Sequence, residues 1–415
     1  MIQPMLRRRI ALALAICSVA GAAVAQTPAG QASPAGQDVQ VTQLAEPDAF
    51  STPGRATGLP ANLWTGASVM TVRAVLPLLA ARPLTPAGAQ LARRVLATGA
   101  QGPEGARQDT ALAAARADAL LAQGDAKAAA AVLDHAPGAD RNADLARAIA
   151  EADLLAGDDA GACRTAQALS DGRDEPYWLK LRTYCQAIAG EAAQASLTFD
   201  LAQAQSKDPV FARLMGAKLG GSGNPGAPSL RNGLDYALSK SLGLDLAAAK
   251  PAPAVAAALT GGEPMPLALD PAAVAPDLAV LAEPLARGEP IRDPVLAALV
   301  ETAATGDPRA RARAQSGLLL AAALGGPMGP ELRGQIAALP TAEGKAPVGR
   351  ALALEAAGQQ RLMGEAAMLS LWILADAGAI GPTLGDRVRI VRALHLAGLE
   401  GDARSIAFEG LQALK

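Results

Sequence analysis

LLAQGDAKAA (residues 120–129), DLLAGDDAGA (153–162) and QAIAGEAAQA (186–195) are three versions of one passage. Each holds a glycine followed by an acidic residue, Gly124-Asp125, Gly157-Asp158 and Gly190-Glu191, and each pair comes 33 residues after the last. Five residues beyond each glycine stands an alanine: Ala129, Ala162 and Ala195. A period in the low thirties, with helical patterning on both sides of a glycine turn, is the signature of stacked helix hairpins. The pattern predicts helices over 108–123, 126–135, 142–156, 159–170, 176–189 and 192–204, paired into three hairpins. Glycine just past a helix end adopts the left-handed conformation at no steric cost. The small residue that follows lets the two helices approach closely.

The whole chain supports the same fold class. Its 415 residues are 51% hydrophobic but only 2% aromatic, so alanine supplies much of the apolar count. Alanine is the best helix former, whereas strands favour branched and aromatic residues. The expectation is an all-α protein, an α-α superhelix of stacked hairpins with about twenty helices.

The three turns and their alanines resemble the tetratricopeptide repeat over 108–204. The small residue of that family's first helix falls on Ala117, Ala150 and Thr183; its closing proline position holds Arg141, Asp174 and Lys207. The resemblance implies a right-handed superhelix with a concave binding surface.

Outward from the repeat, residues 1–25 read as a signal peptide: Arg7-Arg8-Arg9, an apolar run from Ile10 to Ala22, and Ala23-Val24-Ala25 before Gln26. Leu14-Ala15-Ile16-Cys17 approaches a lipoprotein box, but Ile16 is bulky where a small residue is required. Residues 26–60, rich in Pro, Gly, Gln, Ser and Thr, are expected to form a disordered linker. A helical-repeat domain is expected over 61–250. Within it Thr85-Pro86 opens a helix, and Asp208-Pro209 starts a fourth unit whose turn swells to Gly220–Pro228. Prolines and glycines between 250 and 270 mark a soft boundary before a second helical-repeat domain, 270–415. There Asp270-Pro271, Asp293-Pro294 and Asp307-Pro308 repeat the pairing of a capping aspartate with proline at the first helical position. After the leader, no uninterrupted apolar run reaches the roughly 18 residues of a membrane span.

Charge and side-chain chemistry narrow the function classes. Removing the leader's three arginines leaves 34 basic against 39 acidic residues, a net charge of −5, with no basic excess to attract nucleic acid. Of the two histidines, His135 falls at a helix end and His395 inside an apolar helix, and neither has a second ligand at metal-binding spacing. No phosphate-binding glycine loop, nucleophile elbow or zinc helix is present, so no cofactor, metal or catalytic residue is expected. Asp171-Gly-Arg-Asp-Glu-Pro176 concentrates three carboxylates, yet its spacing does not match a calcium loop and it reads as a helix start. Arg309 and Arg313 share a helix face expected to be solvated. Trp372, between Leu371 and Ile373, is expected in the core. Trp178 has two readings, core or groove anchor.

Cys163 and Cys185 remain as a pair once Cys17 leaves with the leader. They fall in adjoining helices of successive hairpins, equidistant from Asp174 in the connecting loop, so antiparallel neighbours would hold them at one height. A disulfide is expected; two buried free thiols are the alternative.

These features point to an exported, periplasmic, non-catalytic α-solenoid that binds another envelope protein or envelope component as a scaffold or adaptor. The alternative is an envelope enzyme on an α-superhelical platform, such as one acting on cell-wall glycan.

Overall fold

In a computed structural model, residues 48, 50–106, 109–133, 136, 138–220, 224–260, 267–326, 328–340 and 342–414 are described. They hold nineteen α-helices and no strand. Two helices, α1 (Val69–Ala81) and α2 (Pro86–Leu96), precede the repeat. The repeat itself comprises α3 (Thr110–Ala122) with α4 (Ala126–Leu133), α5 (Ala143–Ala156) with α6 (Asp159–Ala168), and α7 (Pro176–Ile188) with α8 (Ala192–Gln205). All six lie where the pattern of apolar residues predicts them.

Both residues of the turn dipeptide have a mechanical role. Gly124, Gly157 and Gly190 take φ of +84°, +86° and +81°. The acidic residue then caps the second helix in two of the three turns. Asp125 Oδ1 accepts from Ala128 N at 3.2 Å, and Asp158 Oδ1 accepts from Gly161 N at 2.8 Å. Each carboxylate thus satisfies an N–H that the first turn of a helix leaves free. Glu191 occupies the third cap position without a side-chain bond.

After α9 (Pro209–Gly220) come two short helices, α10 (Gly233–Ser241) and α11 (Pro253–Leu259), which run back along the repeat. Helix α10 packs on α5 and α9, and α11 packs on α3, α4 and α5. The remaining helices are α12 (Ala279–Arg287), α13 (Asp293–Thr305), α14 (Pro308–Ala323), α15 (Pro330–Ala337), α16 (Val348–Gln359), α17 (Met363–Ala377), α18 (Leu384–Leu396) and α19 (Glu400–Gln412).

The Asp-Pro starts divide. Asp208 Oδ1 accepts from Val210 N and Phe211 N, and Asp307 Oδ1 from Arg309 N and Ala310 N. Asp270 caps only one 3-10 turn, Pro271–Ala273, and Asp293 lies inside α13, where Arg292 holds the cap position.

Two expected boundaries are corrected. The flexible segment foreseen to residue 60 ends earlier, because Phe50 is fully buried against Trp64, ring centroids 5.0 Å apart. The separation into 61–250 and 270–415 also fails. Helix α1 packs on α17, and α2 packs on both α17 and α19, so one core runs from Phe50 to Leu411. Polar ties cross the same seam. Glu365 accepts from Ser68 N and Thr71 Oγ1, each at 2.8 Å, and Leu63 O accepts from Gly364 N at 2.9 Å. Asp376 bonds both Arg82 and Arg350, and Arg94 pairs with the buried Asp402. Helices α1 and α2 are therefore interior to the stack, with C-terminal helices on one side and α3 on the other. Residues 363–380 are long and apolar enough to cross a bilayer by composition, but 56% of this stretch is buried within the protein.

Candidate functional site

The resemblance assigns binding to the first helices of the hairpins, α3, α5 and α7. In the structure this face is covered by the returning chain. Leu230, Tyr236 and Val255 join Leu145, Ala148 and Leu155 in the main core. Leu234 and Leu238 join Ala146, Leu154 and Trp178 in a second, smaller core. Helix α10 is buried over every residue from Gly233 to Ser239, as a helix enclosed by its own protein must be.

Trp178 is consequently not a groove anchor. Its ring is 1% exposed, packed with Phe211, Leu214 and Met215 of α9 and edge-on to Tyr177 at 5.1 Å. Trp178, Leu181 and Cys185 lie on one helix face, and the return of α9 and α10 makes that face interior. Trp372 departs from expectation the other way: it is half-buried, with the Arg350 guanidinium 4.2 Å from its ring centroid.

The covered face contains polar residues that the sequence reading passed over. Glu151 lies on the α5 face that also carries Ala148, Ala152 and Leu155. Its carboxylate accepts from Tyr177 Oη at 2.8 Å and from Gly233 N at 2.6 Å. Burial raises its pKa, against the hydrogen bonds from Gly233 and Tyr177 and the nearby Arg147. Burial, then the Glu151 charge, pushes the Tyr177 phenol well above its ordinary value. Gly233 is required here, because a Cβ would come within 2.9 Å of Glu151 Oε2 and 3.0 Å of its carbonyl oxygen. The group joins α5, α7 and α10 by polar contacts.

Arg116 plays a comparable part in α3. Fully buried, it donates to the carbonyls of Leu96 at 2.7 Å, Thr98 at 3.0 Å and Thr52 at 3.1 Å, with the Phe50 ring 5.4 Å away. Desolvation lowers its pKa to about 9, a nearby Asp48 opposing. Its spacing of four from both Leu112 and Leu120 was the available signal: a charge set within an apolar stripe.

Cys163 and Cys185 form a disulfide, with Cα atoms 5.6 Å apart. The acidic loop is a surface turn, Gly172 at φ +71°, with no side-chain cap from Glu175. Arg309 is exposed, whereas Arg313 is half-buried and donates to both oxygens of Asp277 at 3.0 and 2.8 Å. His135 lies outside the described residues; His395 is half-buried beside Gly325. No group of three potential metal ligands occurs among the described residues.

What the repeat leaves open is its other side. A cleft of about 620 Å³ lies between α4, α5 and α6. Ala130, Ala131, Ala156 and Ile149 line its apolar part, with Lys127, Asp158 and Arg164 among its charged residues. Small side chains there admit another chain's side chains, and charges of both signs favour a polar or mixed partner over a wholly apolar one. No family model matches the sequence, no curated protein matches it, and no solved structure matches it.

Proposed function

We propose that this protein is an exported, non-catalytic α-solenoid that binds another protein, or another component of the cell envelope, as a scaffold or adaptor. The observation that supports the reading is the alanine-lined cleft between α4, α5 and α6, left accessible while the opposite face of the repeat is filled by α10 and α11. Repeat arrays bind through extended surfaces built from successive hairpins, and this cleft spans two of them. Binding is thereby moved from the first-helix face to the side carrying the second helices. Ala131→Trp fills the cleft from a partly buried position. It should reduce capture of the native partner from envelope extracts by about tenfold, the scale of one lost interface anchor, with an unchanged melting temperature. Undiminished capture would remove the cleft from the proposal. Export rests on the leader, and the mature chain is expected to begin at Gln26; recovery of Met1 or of a lipidated Cys17 would overturn cleavage after Ala25 and point to a membrane-anchored form.

A further inference from the structure

Helix α8 is the last helix of the three hairpins, and it is packed on one side only. Ala195 and Ala202 are fully buried, and Phe199 reaches the second core; these residues share the face turned to α7 and α9. On the opposite side Ala193, Leu197, Leu201 and Ala204 follow at intervals of four, four and three, which sets them in one stripe along the helix. All four are exposed, Leu197 by 74% and Leu201 by 51%.

The hairpin itself does not require these leucines. At the matching place on α6, 33 residues before Leu197, stands Arg164, whose side chain is 70% exposed. The fold thus accepts a charge at this position in one hairpin and shows an exposed leucine there in the next. Exposed apolar side chains grouped on one face mark a contact surface, whereas scattered ones do not. Asp200 is the one charged residue within α8, and it falls at the rim of the stripe. Covering the leucines therefore takes no charge out of water, the step that makes many polar surfaces costly to bury.

The order of the stripe indicates what covers it. From either end it runs Ala, Leu, Leu, Ala, so a second α8 laid antiparallel matches it. With Phe199 at the crossing point, Leu197 lies opposite the partner's Leu201, and Ala193 beside the partner's Ala204. Charge agrees with this register. Glu191 stands eight residues before Phe199 and Lys207 eight after it. Both are exposed, and neither belongs to an ion pair among the described residues. An antiparallel copy brings each Glu191 level with the partner's Lys207, whereas a parallel copy brings like charges together. A two-fold axis produces this arrangement, because one patch then meets itself.

We propose that the exposed stripe of α8 is a self-association surface on which two copies of this chain pair antiparallel about a two-fold axis. The 14 residues of α8 form a strip about 21 Å long and about 10 Å wide. That is less than the roughly 800 Å² a side of a standard stable interface, so the dimer is weak and depends on concentration. The inference does not rest on the scaffold reading.

The test is sedimentation equilibrium of the intact chain over a concentration series, at low and at high salt. The mean mass should rise from monomer toward dimer and no further. Leu197→Arg, which gives α8 the residue α6 already carries, should weaken pairing by about tenfold or more at an unchanged melting temperature. If that variant does not fold, Leu197→Ser must weaken pairing in its place. Glu191→Lys and Lys207→Glu should each weaken it about threefold at low salt, and the two together should restore the parental value. A chain still monomeric at about 1 mM, open-ended assemblies, a dimer indifferent to a folded Leu197→Arg variant, or charge reversals that do not compensate one another overturn the proposal. A monomer that binds phosphatidylcholine vesicles, and loses them on Leu197→Arg, assigns the face to lipid and overturns it too.

Discussion

Arg116 and Asp208 show two ways in which a single charge is retained in this fold. Arg116 has no exposed surface and serves three carbonyls from two segments, Thr52 on one side and Leu96 and Thr98 on the other. Arg116→Met keeps the volume but strands those acceptors. An unpaired buried polar group costs about 1–3 kcal/mol, so we predict a loss of roughly 3 kcal/mol in urea denaturation, with earlier proteolysis in 50–57. For Asp208, burial alone would raise the pKa. Hydrogen bonds from Lys180, Phe211 N and Arg231 outweigh it and bring the value down to about 2. A carboxyl with a depressed folded-state pKa favours the folded state above its unfolded value. That contribution is lost as pH falls from about 4 toward 2. We predict that Asp208→Asn is less stable than the parent at neutral pH and that the gap closes across this window; a gap independent of pH would refute the assignment.

The hairpin turns form a graded series for mutation. Gly124, Gly157 and Gly190 all have left-handed φ, but their surroundings differ. A Cβ at Gly157 or Gly190 would meet nothing within 4 Å, whereas at Gly124 it would come 2.9 Å from Ala257 Cβ on α11. Gly157→Ala and Gly190→Ala should therefore each cost only the conformational term of about 1 kcal/mol. Gly124→Ala should cost more, because α11 must also shift; chemical denaturation of the three variants decides this. The disulfide joins α6 to α7 across 22 residues. Loop closure of that length is worth roughly 3 kcal/mol on the chain-entropy account. Cys163→Ala with Cys185→Ala should lower stability by about that amount and leave the helix signal in circular dichroism intact.

The placement of α1 and α2 against α17 and α19 carries the main core through both the first and the last helices of the described chain. Val72, Val75, Leu76 and Leu79 of α1 are fully buried, and α17 is among the helices that cover them. Separating the chain in the proline-rich stretch between 260 and 267 would expose both sides of this seam. We predict that fragments 48–260 and 267–415, expressed apart, are insoluble or molten, and that co-expression recovers a complex with the melting behaviour of the intact chain. Two independently folded fragments would mean that the seam contributes little.

Local chemistry determined most of the helices. The turn glycines, the aspartate caps and the alanine-leucine stripes act over a few residues, so they are legible without knowledge of neighbours. The Cys163–Cys185 pairing was legible for a related reason, since one hairpin connection fixes the relative height of adjoining helices. What covers a helix face is a long-range property. An apolar stripe states that a face is buried, but not whether a partner or the chain's own later residues bury it. Trp178 looked the same under either outcome until α9 and α10 were seen to fold back over it. Glu151 likewise stands out only once the donor of a distant segment, Gly233, is placed beside it; Arg116 is visible as a charge within an apolar stripe, but its acceptor in the distant segment, Thr52, is not. The seam between the first and last helices has no periodic signature at all. It arises because the buried stripe of α1 meets both α3 and α17, and that of α2 meets α3, α17 and α19, and only the folded chain decides which helices cover each stripe.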